Sequence, residues 1–272
     1  MLKDVTFGQY FPGDSAVHKM DPRMKLVLII VYIVMLFVAD GIIPLLLGVA
    51  VTVFAYAMSK LSFKLVWRSV KPILPIVVFT AILNIFFIEG DPLFQWKFIT
   101  ISERGVVTAV LMCVRIISLI AGSSLLTYTT TPIALTDGLE RLMKPLEKIK
   151  VPVHELSMMM TIALRFIPTL IDETGKIIAA QKARGADMDS GNAIQKARAL
   201  VPILIPLFVS AFRRADELAL AMECRCYRGG EGRTRLKQLS LSGRDWAAAA
   251  LMTAALAGVI LLNKFGPAVM VL

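Results

Sequence analysis

Residues 24–58 read MKLVLIIVYIVMLFVADGIIPLLLGVAVTVFAYAM, and within that stretch only Lys25 and Asp40 carry charge. A helix that crosses a bilayer needs about 20 mostly apolar residues, within a range of about 17–25. The stretch holds two such segments, Met24–Ala39 and Gly41–Met58, separated by Asp40 alone. So tight a connection predicts a helical hairpin in the membrane. Three further runs follow along the chain: Pro72–Ile88, Gly105–Tyr128 and Trp246–Leu262. The last opens on a tryptophan, a residue enriched where membrane meets water. The expected fold is an all-α membrane protein with about five transmembrane helices.

Composition agrees. Of the 272 residues, 57% are hydrophobic and 18% charged, against about 45–50% and about 25% in soluble domains. A soluble globular enzyme and a disordered chain are both excluded on this ground. The first apolar run begins only at Met24, after a polar stretch, so no cleavable leader is expected. Gly48, Gly122, Ser123 and Ser124 offer small surfaces for close helix contact.

The net charge of +10 is distributed unevenly. Lysine and arginine cluster before the first span, between the second and third (Lys60, Lys64, Arg68, Lys71) and throughout residues 129–245. With five spans these regions share one face of the membrane and hold 26 of the 30 basic residues. The positive-inside rule then puts the N-terminus in the cytoplasm and the C-terminus outside. Loop charge thus accounts for the basic balance, and no nucleic-acid partner is expected.

Residues 129–245 have helical periodicity without a convincing span. The division expected is 1–128 (N-terminal segment and four spans), 129–245 (a cytoplasmic helical domain) and 246–272 (the last span). Thr131-Pro132 opens one helix to about Lys148. A second starts at Val153, with apolar positions at Leu156, Met159, Met160, Ala163, Phe166, Ile167 and Leu170, and with Pro168 bending it. Gly185 terminates it, and a polar turn from Asp187 to Asn192 follows. A third helix starts near Ala193, carries the apolar run Leu200–Phe212 and ends at Gly229, Gly230 and Gly232. The apolar run extends about 20 Å at 1.5 Å per residue, too little to span, so it lies at the interface or on the other long helix.

Both long helices finish on an arginine between small residues: Ala183-Arg184-Gly185 and Cys224-Arg225-Cys226, 41 positions apart. Small neighbours let a partner surface approach, and a guanidinium presents fixed donors to carboxylates or carbonyls. Equally, an arginine at a helix C-terminus suits the helix dipole with no partner at all.

Catalytic patterns are missing. Gly175-Lys176 is the only Gly-Lys pair and lacks the rest of a P-loop. His18 and His154 have no triad or metal set around them, and the three cysteines form no zinc pattern. No catalytic residue, metal site or cofactor is expected. Arg115 stands inside the fourth span, either serving a transport path or bonding backbone carbonyls. A secondary carrier acting alone and a membrane enzyme on a polar-headed lipid remain as rival readings. The first would usually show mid-membrane acids and repeated halves, and neither is apparent. The second is disfavoured by the scarcity of histidine and of clustered acids.

Three stretches carry a resemblance to a known family. They are Ser15-x-x-His18-x-x-Asp21-Pro22-Arg23-x-Lys25, then Ile167-Pro168-Thr169-Leu170-Ile171-Asp172-Glu173 leading to Gln181-Lys182-Ala183-Arg184-Gly185, and Ala221-Met222-Glu223-Cys224-Arg225-Cys226-Tyr227-Arg228-Gly229-Gly230. Together they resemble the transmembrane coupling subunit of energy-coupling-factor (ECF) vitamin transporters, over almost the whole chain. The resemblance implies a non-catalytic scaffold in a prokaryotic cell membrane. Two cytoplasmic ABC-type ATPases would dock on the tips at Ala183, Arg184, Gly185 and Cys224, Arg225, Cys226. A small membrane substrate-binding subunit would pack on the long helices, for which Met158, Met159, Met160, Ile203 and Leu207 are the expected contacts. The cysteine flanks stand where the family often has Ala and Gly or Ser. The long cytoplasmic motifs look more like the shared, multi-substrate type than a subunit dedicated to cobalt, nickel or biotin.

Overall fold

The structure is a computed structural model that describes residues 10–88, 92–96, 99–186, 192–229 and 239–265. It is all-α apart from one short hairpin. The chain divides into two compact units, one of residues 8–139 and 238–272, the other of residues 140–237 with residues 1–7.

The first unit holds the apolar helices. Helix α1 (Pro22–Val38) starts where Pro22 pre-sets the backbone and the Asp21 carboxylate accepts from the Arg23 backbone N–H at 2.9 Å. Its 17 residues extend about 26 Å, a little under the hydrocarbon thickness of about 30 Å. The link to α2 (Ile42–Ser59) turns at Gly41, whose φ of 101° with ψ of 178° is open to glycine alone. The third span begins earlier than Pro72: α3 (Phe63–Val70), capped by Ser62, runs through a 3-10 turn at Lys71–Ile73 into α4 (Leu74–Phe87). Pro72 and Pro75 tighten the helix there without ending it. An antiparallel hairpin, β1 (Pro92–Trp96) with β2 (Ile99–Ser102), pairs Gln95 with Thr100 and leads into α5 (Glu103–Thr129). Helix α6 spans Pro132–Met143, and α9 (Gly243–Phe265) closes the unit. Among the described residues four helical stretches are long and apolar enough to cross a membrane, 42–59, 64–87, 103–129 and 243–264, and the 17-residue α1, expected as the first span, is not one of them. Their outward faces carry large apolar side chains such as Val53, Phe79 and Leu251, as a lipid-facing surface should.

Tyr32, Met35 and Leu36 of α1, with Leu45, Leu111 and Val259, form the core of this unit. Gly122 makes room for Tyr32, since a Cβ there would lie 2.4 Å from the ring. The Tyr32 hydroxyl bonds Thr52 and donates to the Ser118 carbonyl. Arg115 Nη2 donates to the Ala39 carbonyl at 2.6 Å, and Asn263 Nδ2 donates to the Val38 carbonyl at 2.6 Å. Both satisfy acceptors that the end of α1 leaves open. At the opposite end Asp245, 1% exposed, accepts from the Asp21 and Ser242 backbone N–H groups and from the Ser242 hydroxyl.

The second unit is built on α7 (Val153–Ala183) and α8 (Ala193–Cys224). The helix expected from Thr131 to about Lys148 is shorter: α6 stops at Met143, and a 3-10 turn covers Lys144–Ile149 with Pro145 inside it. Helices α7 and α8 pack antiparallel. Tyr227 donates to Met158 Sδ at 3.0 Å, Arg214 pairs with Glu173 at 2.6 Å, and Gln181 Nε2 donates to the Pro202 carbonyl at 3.3 Å. Pro168, Pro202 and Pro206 all lie inside continuous helices. The expected turn at residues 187–191, and Gly230 and Gly232, lie outside the described residues.

Candidate docking site on the long helices

Arg184 and Arg225 occupy the same position in two copies of one local structure. Each is the C-cap of its helix. After each comes a residue in the left-handed region, Gly185 (φ 83°) and Cys226 (φ 55°). The next N–H then reaches back five residues: Ala186 to the Gln181 carbonyl, Tyr227 to the Met222 carbonyl, both at 3.0 Å. The residue before does the same over three, Gly185 to Lys182 and Cys226 to Glu223. This is the Schellman arrangement, which satisfies the last open carbonyls of a helix. Glycine meets its conformational demand at no cost, whereas at Cys226 the Cβ is strained against the following carbonyl. The sequence marked both flanks as small; the structure adds that the second of each pair must adopt a left-handed backbone.

Residues 182–185 and 223–226 are exposed, and among the described residues no hydrogen bond or ion pair involves either guanidinium of the two tips. Because α7 and α8 are antiparallel, the tips point away from opposite ends of the pair. The separation along α7 from Met158, beside Tyr227, to Arg184 is on the order of 40 Å. One surface could not hold both arginines at once unless it were that long.

The expected membrane-subunit contacts divide between two faces. Met159 is 57% exposed, while Met158 and Met160 are half-buried. Ile203 is 5% exposed and faces inward, and Leu207 is half-buried beside it. The exposed face of α8 is formed instead by Leu204, Ile205, Phe208, Val209 and Phe212, with Phe208 and Phe212 stacked at 6.3 Å.

A cluster not foreseen from the sequence joins Glu140, His154 and Ser157. Glu140 accepts from Ser157 through Oε2 and lies 3.2 Å from His154 Nδ1 through Oε1. It has the residue types of a hydrolytic triad in the wrong order: the serine gives its proton to the carboxylate, and nothing aligns it on the imidazole. Sequence spacing of 14 and 17 positions across a turn gave no signal for it. Among the described residues no group of three or more His, Cys, Asp or Glu could hold a metal. Arg115 bonds a backbone carbonyl, the second of its two expected roles.

Comparison with known proteins decides the family. A family model described as "Cobalt transport protein" (CbiQ) matches residues 13–236. Proteins named energy-coupling factor transporter transmembrane protein EcfT are similar over nearly full length. That of Clostridium kluyveri is 57% identical over 250 residues, 91% of this chain and 93% of its own. That of Ruminiclostridium cellulolyticum is 53% identical, covering 97% and 98%, and that of Bacillus subtilis 46%, covering 90% and 93%. The chain belongs to the CbiQ family, as an ECF transporter T component. This CbiQ-family protein is therefore a membrane transport component.

Proposed function

We propose that this chain is the non-catalytic scaffold of an ECF-type importer. Two cytoplasmic ABC-type ATPases dock on its arginine tips, and a small membrane subunit binds the vitamin or micronutrient. The matched Schellman ends carry the reading: each presents a guanidinium with no partner among the described residues on a backbone-satisfied tip, and the tips are too far apart for one small surface. ATP binding and hydrolysis in the partners close and open the ATPase pair. The long helices α7 and α8 pass that movement to the membrane subunit through their exposed apolar faces, Met159 on one and Leu204, Ile205 and Phe208 on the other. This face replaces Ile203 as the contact, because a buried isoleucine offers a partner no area. ATPase activity resides in the partners. On this reading the N-terminus is cytoplasmic, which the distribution of lysine and arginine supports. The long cytoplasmic motifs favour the shared, multi-substrate type.

The test is co-purification of the tagged full-length chain from its native host in mild detergent, with mass spectrometry of what it carries. Two ABC ATPases and one or more small membrane proteins are expected. A stable, monodisperse chain recovered alone, and transporting solute by itself in vesicles, would contradict the proposal.

A further inference from the structure

The membrane unit contains a cleft of about 380 Å³ among α1, α2, α5 and α9, within the range of small-ligand sites. Its walls are almost wholly apolar, with Phe54 and Met58 of α2, Leu125 of α5 and Leu251 of α9 among them. Helices α2 and α9 touch above it, where Gly258 meets Leu47. Phe54, Met58 and Leu251 are exposed, so the cleft opens sideways between the two helices.

Two cations line the cleft, Lys25 and Arg244. Lys25 is 7% exposed, and its ammonium donates to three neutral oxygens: the Thr129 carbonyl at 2.9 Å, Thr130 Oγ1 at 3.0 Å and the His18 carbonyl at 3.4 Å. Among the described residues no carboxylate pairs with it. Arg244 is exposed and, among the described residues, also lacks an ion pair. The nearby acids take their hydrogen bonds from other groups, although the Asp245 charge is felt at Lys25. Asp21 is bound by Arg23, and Asp245 accepts three hydrogen bonds from Asp21 and Ser242. The charges here, Arg23, Lys25 and Arg244 against Asp21 and Asp245, leave a balance of +1. An apolar slot open to the bilayer core, with excess positive charge at one end, matches one kind of molecule. Basic pockets between membrane helices on the cytoplasmic side bind anionic lipid headgroups.

We infer that this cleft holds one acyl chain of an anionic phospholipid, with the phosphodiester on Arg244 in the field of Lys25. Lys25 is committed to its three oxygens and contributes charge, while Arg244 supplies the hydrogen bonds. The inference is independent of the ATPase-docking proposal, since every residue it uses belongs to the membrane unit.

Native mass spectrometry of the delipidated full-length chain, given equal phosphatidylglycerol and phosphatidylcholine with matched acyl chains, tests it. One phosphatidylglycerol should be retained, favoured by about fivefold, the effect of one basic residue near a lipid surface. Arg244→Gln, an exposed change that leaves the core intact, should bring the ratio near one, whereas Arg228→Gln should not. Ala55→Leu, which narrows the cleft, should reduce retention of both lipids. Equal retention by the unmodified chain, an unchanged ratio in Arg244→Gln, or displacement of the lipid by glycerol 3-phosphate alone would overturn the assignment. If Ala55→Leu fails to give monodisperse protein, the Arg244→Gln ratio decides.

Discussion

Arg184 and Arg225 share one local geometry, and the difference that bears on it is the residue that follows. Gly185 turns left-handed freely; Cys226 does so under strain. Cys226→Gly should therefore firm the end of α8 by about 0.5–1 kcal/mol. Slower amide exchange at Cys226 and Tyr227 would show it, and unchanged exchange would mean that the strain is absorbed elsewhere. Gly122 is the opposite case. Gly122→Ala puts a methyl into a Tyr32 ring held by hydrogen bonds to Thr52 and Ser118, and should cost about 1–3 kcal/mol. The melting temperature in detergent reads that loss. The sequence made the arginines and their small neighbours legible, because side-chain size and charge are local. It did not reveal which of two cysteines bends the backbone, nor that Glu140 joins His154 and Ser157, because those facts depend on how turns close.

Four of the five expected spans were legible because a run of apolar residues has few other uses, while α1, at 17 residues, falls just short. The start of the third was placed nine residues late, since Lys64, Arg68 and Lys71 look like a loop while Ser62 in fact caps a helix. The hairpin at Pro92–Ser102 gave no alternating pattern long enough to read. On α8 the run Leu200–Phe212 is apolar all round, so periodicity could not separate buried Ile203 from exposed Leu204 and Phe208. Two expectations belong to this scale. Asp245→Ala should leave the Asp21 and Ser242 N–H groups without an acceptor and destabilise the start of α9 by about 2 kcal/mol or more, visible as faster proteolysis near Ser242. A double-mutant cycle on Glu173 and Arg214 should yield only about 0.3–1 kcal/mol of coupling, because that pair is partly solvated.

At the scale of the whole molecule, the proposed coupling role needs both tips in the cytoplasm, each holding its own ATPase. With the native cysteines replaced, Asn192→Cys should react with a membrane-impermeant maleimide only after the cells are opened; labelling of intact cells would reverse the topology. Charge asymmetry is what suggests that orientation, whereas the distance between the tips required the antiparallel packing of α7 on α8. The most direct test of the central claim counts ATPases. Complexes carrying Arg184→Glu, Arg225→Glu or both should be isolated through a tag on this chain and weighed intact. Two ATPases are expected on the unmodified chain, weakened capture of one in each single variant, and none in the double. A double variant that still carries both would show that the arginine tips are ordinary helix ends.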